Sequence, residues 1–247
     1  MMNSFLRALQ FLTRLPFGKA LEHPPALSGD TVAWYAPVGM VIGILMTAIA
    51  WVLSQWLQLP PAIVGMVVLI IWVGITGALH LDGVADCGDA WMGGHTPARM
   101  LEIMKDTACG VGAIVALALV LLVKFSALSA LLAQGDWLLL VFPPVMARIA
   151  LSIVICATPY IRSDGIGRSL PSTMSAKAIG ISGLVLSLAL GIVSLQSFII
   201  ATVASALAFL LIYRCLIKPV KGATGDIYGA LVETAEAFVL VSLVVGN

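Results

Sequence analysis

Five of the twelve acidic residues in this chain fall between His80 and Asp106, in HLDGVADCGDAWMGGHTPARMLEIMKD. On a helix of 3.6 residues per turn, Asp82, Asp86 and Asp89 would lie within about 60° of arc. Three carboxylates on one stripe repel one another unless cations occupy the space between them. Hard oxygen donors suit Mg²⁺ or Mn²⁺, and Mg²⁺ is commonly completed by substrate phosphates. A solvated acidic edge is the plainer alternative, and Gly83 and Gly88 could break the helix, so the shared face is conditional. His80, just before the first acid, could be a ligand, a base or an interfacial hydrogen-bonder.

Thr96 followed by Pro97 predicts a helix start, with Met100, Ile103 and Met104 as an apolar stripe. The plain reading is an amphipathic helix on a membrane surface; the functional one adds Lys105 to phosphate and Asp106 to metal. A third stretch, KGATGDIYGALVETAE from Lys221 to Glu236, is a glycine-punctuated loop opening onto a helix. Backbone amides at such a start, near Gly225, favour a phosphate. Asp226 and Glu233 are seven apart and share a face; Asp226 is a further metal candidate. Glu233 is either a base or the partner of an intramembrane cation. The chain has no GxxxxGK[ST], GxSxG or HExxH. Acids, glycines and a few bases fit phosphoryl transfer, which needs metal and positioning more than covalent chemistry.

The elements that must position these groups are membrane spans. The 247 residues are 61% hydrophobic and 10% charged, far from the roughly 25% charged of soluble domains. The expectation is an all-α, polytopic integral membrane protein forming one domain over 1–247. Apolar stretches near the spanning length occur at about 33–57, 62–79, 110–134, 137–158, 178–195, 197–213 and 228–245. The fifth and sixth are divided only at Gln196. Residues 1–19 suit a short interfacial helix, with Phe5, Leu9 and Leu12 at helical spacing and Arg7, Gln10 and Arg14 off that line.

Basic residues are segregated. Arg7, Arg14, Lys19, Arg99, Lys105, Arg162, Arg168, Lys177, Arg214, Lys218 and Lys221 all fall on alternate connections. The positive-inside rule puts those connections in the cytoplasm, with the acidic stretch among them. Lys124 and Arg148 fall inside spans, where charge faces a bundle interior and pairs. Each is open between a structural ion pair and a phosphate contact. Cys87, Cys109, Cys156 and Cys215 form no CxxC pair and read as buried or membrane-facing thiols. No basic stripe suggests nucleic acid. Charged residues within spans leave a transporter as an alternative, although no repeat is visible.

The stretches FLTRLP (11–16), GALHLDGVAD (77–86), RMLEIMKD (99–106), PYIRSDGIG (159–167), TGD (224–226) and GALVE (229–233) resemble the cobalamin 5′-phosphate synthase family, the adenosylcobinamide-GDP ribazoletransferases. The resemblance runs from the N-terminus to the last span. It implies an Mg²⁺-dependent enzyme of the bacterial inner membrane, with its active site on the cytoplasmic side. That enzyme joins adenosylcobinamide-GDP to α-ribazole or its 5′-phosphate and releases GMP. Asp82, Gly83, Asp86, Lys105, Asp106, Asp226 and Glu233 stand on matching motif positions. The family also resembles in logic the CDP-alcohol phosphotransferases, a second alternative, but the arginine expected after their Asp-Gly is absent here. Two stretches depart from the family pattern, TACGVGA after Asp106 and KGATGD before the last motif. Neither removes an acid. The expected site is therefore Asp82, Asp86, Asp89, Asp106 and Asp226 around metal, with Gly83, Lys105, Arg148 and Gly225 on phosphate. Glu233 or His80 would be the base.

Overall fold

The computed structural model describes residues 2–16, 29–162 and 174–246. Lys19, His23, Arg168 and the second half of PYIRSDGIG lie outside the described residues. The fold is all-α. Helix α1 spans Met2–Leu12 and buries Ala8, Leu9 and Leu12, as its amphipathic spacing predicts. A 3₁₀ turn at Gly29–Trp34 leads into α2 (Tyr35–Gln55). Then follow α3 (Pro61–Thr76), α4 (Leu79–Gly93), α5 (Pro97–Ile103), α6 (Val111–Ala133) and α7 (Phe142–Ala157). The second half holds α8 (Ala176–Val193), α9 (Leu195–Ile212), the short α10 (Lys218–Val220) and α11 (Gly225–Gly246).

Six helical stretches among the described residues are long and apolar enough to cross a membrane, or seven if α3 and α4 count as one broken span. That matches the expected spans. The division between α8 and α9 falls at Ser194, which adopts extended backbone and caps α9 by accepting from the Ser197 amide. Gln196 is the second residue of the new helix.

Two features determine where the acidic stretch goes. The first is a 91° bend between α3 and α4. Gly77 and Ala78 both adopt left-handed backbone there, with φ of 62° and 55°. Glycine tolerates this at no steric cost, whereas alanine does not. α4 therefore turns away from the span axis and runs unbroken through Gly83 and Gly88, so Asp82, Asp86 and Asp89 do share one helix.

The second is close backbone approach. A Cβ on Gly83 would strike the Asp226 carbonyl oxygen, and one on Gly229 would stand 3.0 Å from the His80 carbonyl oxygen. These two glycines let α4 and α11 cross almost backbone to backbone. Gly88 and Gly112 do the same for α4 and α6, each facing the other's carbonyl oxygen at 2.7 Å from a built Cβ. The GxxxG of the first span, Gly39 and Gly43, seats α2 against Pro144 and Val141 at the start of α7. Small residues are the usual means of bringing helices together where lipid removes the hydrophobic drive.

Helix α11 occupies the centre, packed against α4, α6, α7 and α9. Most of its length is buried, whereas α8 lies at the periphery with nearly all its surface outward. The most polar span is thus among the most buried. Gly83→Ala is expected to lower stability by about 1–3 kcal/mol through overpacking. Gly225→Ala, where an added methyl meets nothing within 4 Å, is expected to change it by less than about 0.5 kcal/mol. Thermal unfolding in detergent micelles compares the two.

Candidate active site

Three segments converge at one end of the bundle. The first is α4, presenting Asp82 and Asp86. The second is the end of α5, which starts at Thr96, whose hydroxyl accepts from the Arg99 amide as N-cap, and which the chain leaves at Met104. Met100 and Met104 are buried beneath it, which directs Lys105, Asp106 and Thr107 outward. The third is the start of α11. Thr224 caps it, its hydroxyl accepting from the Ile227 amide at 3.3 Å, so Asp226 stands in the first turn.

A fourth contributor arrives from residues 159–162. The Ile161 amide donates to the Ala223 carbonyl at 3.1 Å, and the Ala223 amide donates to the Pro159 carbonyl at 2.9 Å. Gly222 permits this, because a Cβ there would press on Ile161 and on the Pro159 carbonyl. The pairing delivers Arg162, whose guanidinium reaches Asp226 at 3.1 Å and donates to the Met104 carbonyl at 2.8 Å.

Together these segments line a cavity of about 540 Å³ bounded by Asp82, Asp86, Met104, Lys105, Asp106, Thr107, Arg162 and Asp226. Partial burial, followed by the charges of Asp226 and Asp82, pushes the Asp86 carboxyl up to about 7. The guanidinium of Arg162 offsets only part of this. Four carboxylates face one cavity with two cations, an excess of negative charge that a divalent cation would relieve.

Deeper in the bundle lies a second polar cluster. Lys124 on α6 donates to Glu233 at 2.8 Å and Glu236 at 2.6 Å, both on α11. Arg148 on α7 pairs with the other Glu236 oxygen. The Lys124 ammonium also stands 4.4 Å from the centre of the Trp72 ring on α3. All four charged groups are essentially inaccessible, and two cations balance two anions. Buried charge in the low-dielectric interior persists only when paired in this way.

The cobalamin-5-phosphate synthase family profile matches residues 4–244. The chain belongs to this family. It is 41% identical over 247 residues to the adenosylcobinamide-GDP ribazoletransferase of Pseudomonas aeruginosa, covering 98% of each chain. It is 39% identical over 241 residues to the enzyme of that name from Ectopseudomonas mendocina, covering 96% of each. With the one from Acinetobacter baumannii it shares 35% over 251 residues, covering 99% of this chain and 98% of the relative. No solved structure matches it significantly.

Within this member of the family, the expected site residues divide into two groups. Asp82, Asp86, Lys105, Asp106 and Asp226 line the cavity. The others stand elsewhere. Asp89 caps α6: its carboxylate accepts from the Gly110 amide at 2.7 Å and the Ala113 amide at 2.9 Å. Asp89, expected in the metal set, is engaged by these two amides and does not line the cavity. Glu102 pairs with Arg99 at 2.8 Å on the exposed face of α5. Arg148, expected on phosphate, is committed to Glu236 inside the bundle. Glu233, expected as base, lies two turns below Asp226, about 10 Å at 1.5 Å per residue, and is held by Lys124. His80 is buried behind the Gly229 crossing rather than on the cavity wall. Gly83 gives close helix contact rather than a phosphate seat. Gly225 opens α11 at an exposed position.

Arg162 carried no role in the sequence reading. Its signal was the PYIRSDGIG stretch, but nothing local says that residue 162 meets residue 226. The charges that suggested a transporter neutralise one another.

The donor set suits a hard cation. Among the described residues no three His, Cys, Asp or Glu side chains stand close enough to enclose one metal ion. Open carboxylates on a polar wall still fit Mg²⁺, which is ordinarily held by one or two carboxylates with water and substrate phosphates completing the shell. Lys124→Met would leave two buried carboxylates sharing one cation. It is expected to cost about 3–5 kcal/mol, measured as a fall in the thermal unfolding midpoint in micelles with no change in oligomeric state.

Proposed function

We propose that this protein joins adenosylcobinamide-GDP to α-ribazole or α-ribazole 5′-phosphate in cobalamin synthesis, releasing GMP. One observation carries the proposal. The carboxylates on α4, at the end of α5 and on α11 face the same cavity as Lys105 and Arg162. This is the donor pattern that a pyrophosphate and a divalent cation require. The names of the relatives supply the substrate and the reaction type.

In this reading the pyrophosphate of adenosylcobinamide-GDP enters the cavity against Lys105 and Arg162. A ribazole hydroxyl attacks the phosphorus on the cobinamide side. The new phosphorus–oxygen bond forms as the bond to the bridging oxygen breaks, and GMP departs with that oxygen. A carboxylate facing the cavity takes the hydroxyl proton, since Glu233 and His80 are walled off inside the bundle. Bound Mg²⁺, held by one or two of the cavity carboxylates, Asp82 and Asp86 foremost with Asp106 and Asp226 beside them, and completed by water and substrate phosphates, would withdraw charge from the phosphoryl oxygens. Arg162 has a further duty: its bond to the Met104 carbonyl ties the Lys105–Asp106 segment to Asp226. The bidentate reach of arginine suits both tasks.

We place the chain in the bacterial inner membrane with this cavity facing the cytoplasm. Lys105 and Arg162 line it, while Pro60–Pro61 and Gln134–Asp136, which carry no Lys or Arg, connect spans at the opposite ends.

Asp82→Asn and Asp86→Asn are each expected to reduce GMP release from adenosylcobinamide-GDP by at least about a hundredfold at saturating Mg²⁺, the scale of a lost transition-state electrostatic contact. Near-normal turnover in either variant would remove it from the metal site. Arg162→Lys is expected to retain folding and lose about tenfold or more in turnover, because a single ammonium does not reproduce the fork between Asp226 and Met104.

A further inference from the structure

We propose that Arg14 is a positioning residue: it braces the α3–α4 corner and thereby aims Asp82 and Asp86 at the cavity. Nothing in the proposed reaction uses the N-terminal FLTRLP stretch. The structure nevertheless carries it to the bend on which the acidic helix depends.

The corner combines a pair of cap hydrogen bonds with one strained residue. α3 ends with the Gly77 amide on the Gly74 carbonyl at 3.2 Å and the Ala78 amide on the Val73 carbonyl at 3.1 Å. Two consecutive residues, Gly77 and Ala78, then adopt left-handed backbone, the second without glycine's tolerance. α4 begins at once, the Asp82 amide donating to the Ala78 carbonyl at 3.1 Å. Asp82 lies four residues past the strained Ala78, so the corner sets the direction in which α4 enters its contacts with α6 and α11 and thereby the placement of its cavity carboxylates.

Arg14 closes this corner from outside in two ways. Its backbone amide donates to the Ile75 carbonyl at 2.6 Å, filling a helix-end acceptor that α3 cannot satisfy within itself. Its side chain lies flat over Gly77, where a built Cβ would run into the Arg14 Nε, Cγ and Cδ. The guanidinium thus sits at the carboxyl end of α3, the favourable end for a cation. Arg14 is itself anchored. Thr13 donates its hydroxyl to the Leu9 carbonyl at 2.6 Å, and Leu9 and Leu12 are buried among the hydrophobic residues of the core. The N-terminal helix is therefore a strut that runs from the bundle to the bend.

The test uses two readouts on the full-length protein in micelles. Nitroxide labels at Met66→Cys on α3 and Met92→Cys on α4, with Cys109, Cys156 and Cys215 replaced by serine, report the inter-helix distance by pulsed electron resonance. GMP release per folded molecule reports catalysis. Arg14→Ala is expected to broaden the distance distribution and lower kcat by about tenfold or more, as small misplacements of catalytic groups do. KM for α-ribazole stays within about twofold. Arg14→Lys, which keeps the charge and an aliphatic stem over Gly77, restores much of both. Arg14→Gln is the milder variant should Arg14→Ala accumulate poorly, with an intermediate effect expected.

An unchanged distance distribution overturns the proposal, and so does a broadened one with normal kcat. The distance arm does not depend on the proposed reaction, while the turnover arm rests on it. If Asp82→Asn turns over normally while Arg14→Ala broadens the corner, the metal reading fails and the brace stands.

Discussion

The structure depends on a buried neutral quartet of charges. Lys124 bridges Glu233 and Glu236, and Arg148 completes the second carboxylate. α11 brings acids into the middle of a membrane bundle, and it can do so only because α6 and α7 each supply a cation at the same depth. Apolar helix faces slide past one another at little cost. A hydrogen-bonded ionic cluster does not, so it pins both the rotation and the depth of α11. Asp226, seven residues above Glu233, inherits that position.

The cavity is then a meeting of two rigid pieces rather than a loop-built pocket. α11 is fixed from below by the quartet and α4 from the side by α6, through Gly88, Gly112 and the Asp89 cap. Where α4 and α11 cross, Gly83 and Gly229 let the backbones nearly touch, and the carboxylates at that crossing face one space. The remaining walls are looser elements tied to these two: the α5 exit through buried Met104, and Arg162 through the short pairing of 159–161 with 223. Charge at the mouth and charge in the core thus have opposite characters. Core charge is balanced and serves packing. Charge at the mouth is unbalanced, which is what gives it affinity for a cation and its phosphates.

Much of this was legible in one dimension. Hydropathy marked the spans, and Thr96-Pro97 marked the start of α5. The periodicity of residues 5–12 marked the N-terminal helix. The spacing of Asp82, Asp86 and Asp226 against glycines marked the acidic groups that line the cavity. Asp89, Arg148 and Glu233 do not line the cavity, and local spacing could not show it for a common reason. A charged side chain beside a candidate site looks alike whether it faces a ligand, a helix end or an opposite charge on another helix. Asp89 finds amides 21 and 24 residues away, and Arg148 finds Glu236 88 residues away. Such partners have no signature in local spacing.

What the sequence alone determined is therefore composition and period: an all-α membrane chain, its spans, the segregation of its basic residues, and the family to which its motifs point. These follow from transfer free energy and helical geometry, which act residue by residue. Only the tertiary structure decided which acids share a cavity, which charges cancel, and that Arg162 and Arg14 lie beside the elements that carry the site. Those outcomes depend on the direction in which α4 leaves Ala78 and on how closely α4 and α11 approach. Both are fixed by contacts between segments far apart in the chain.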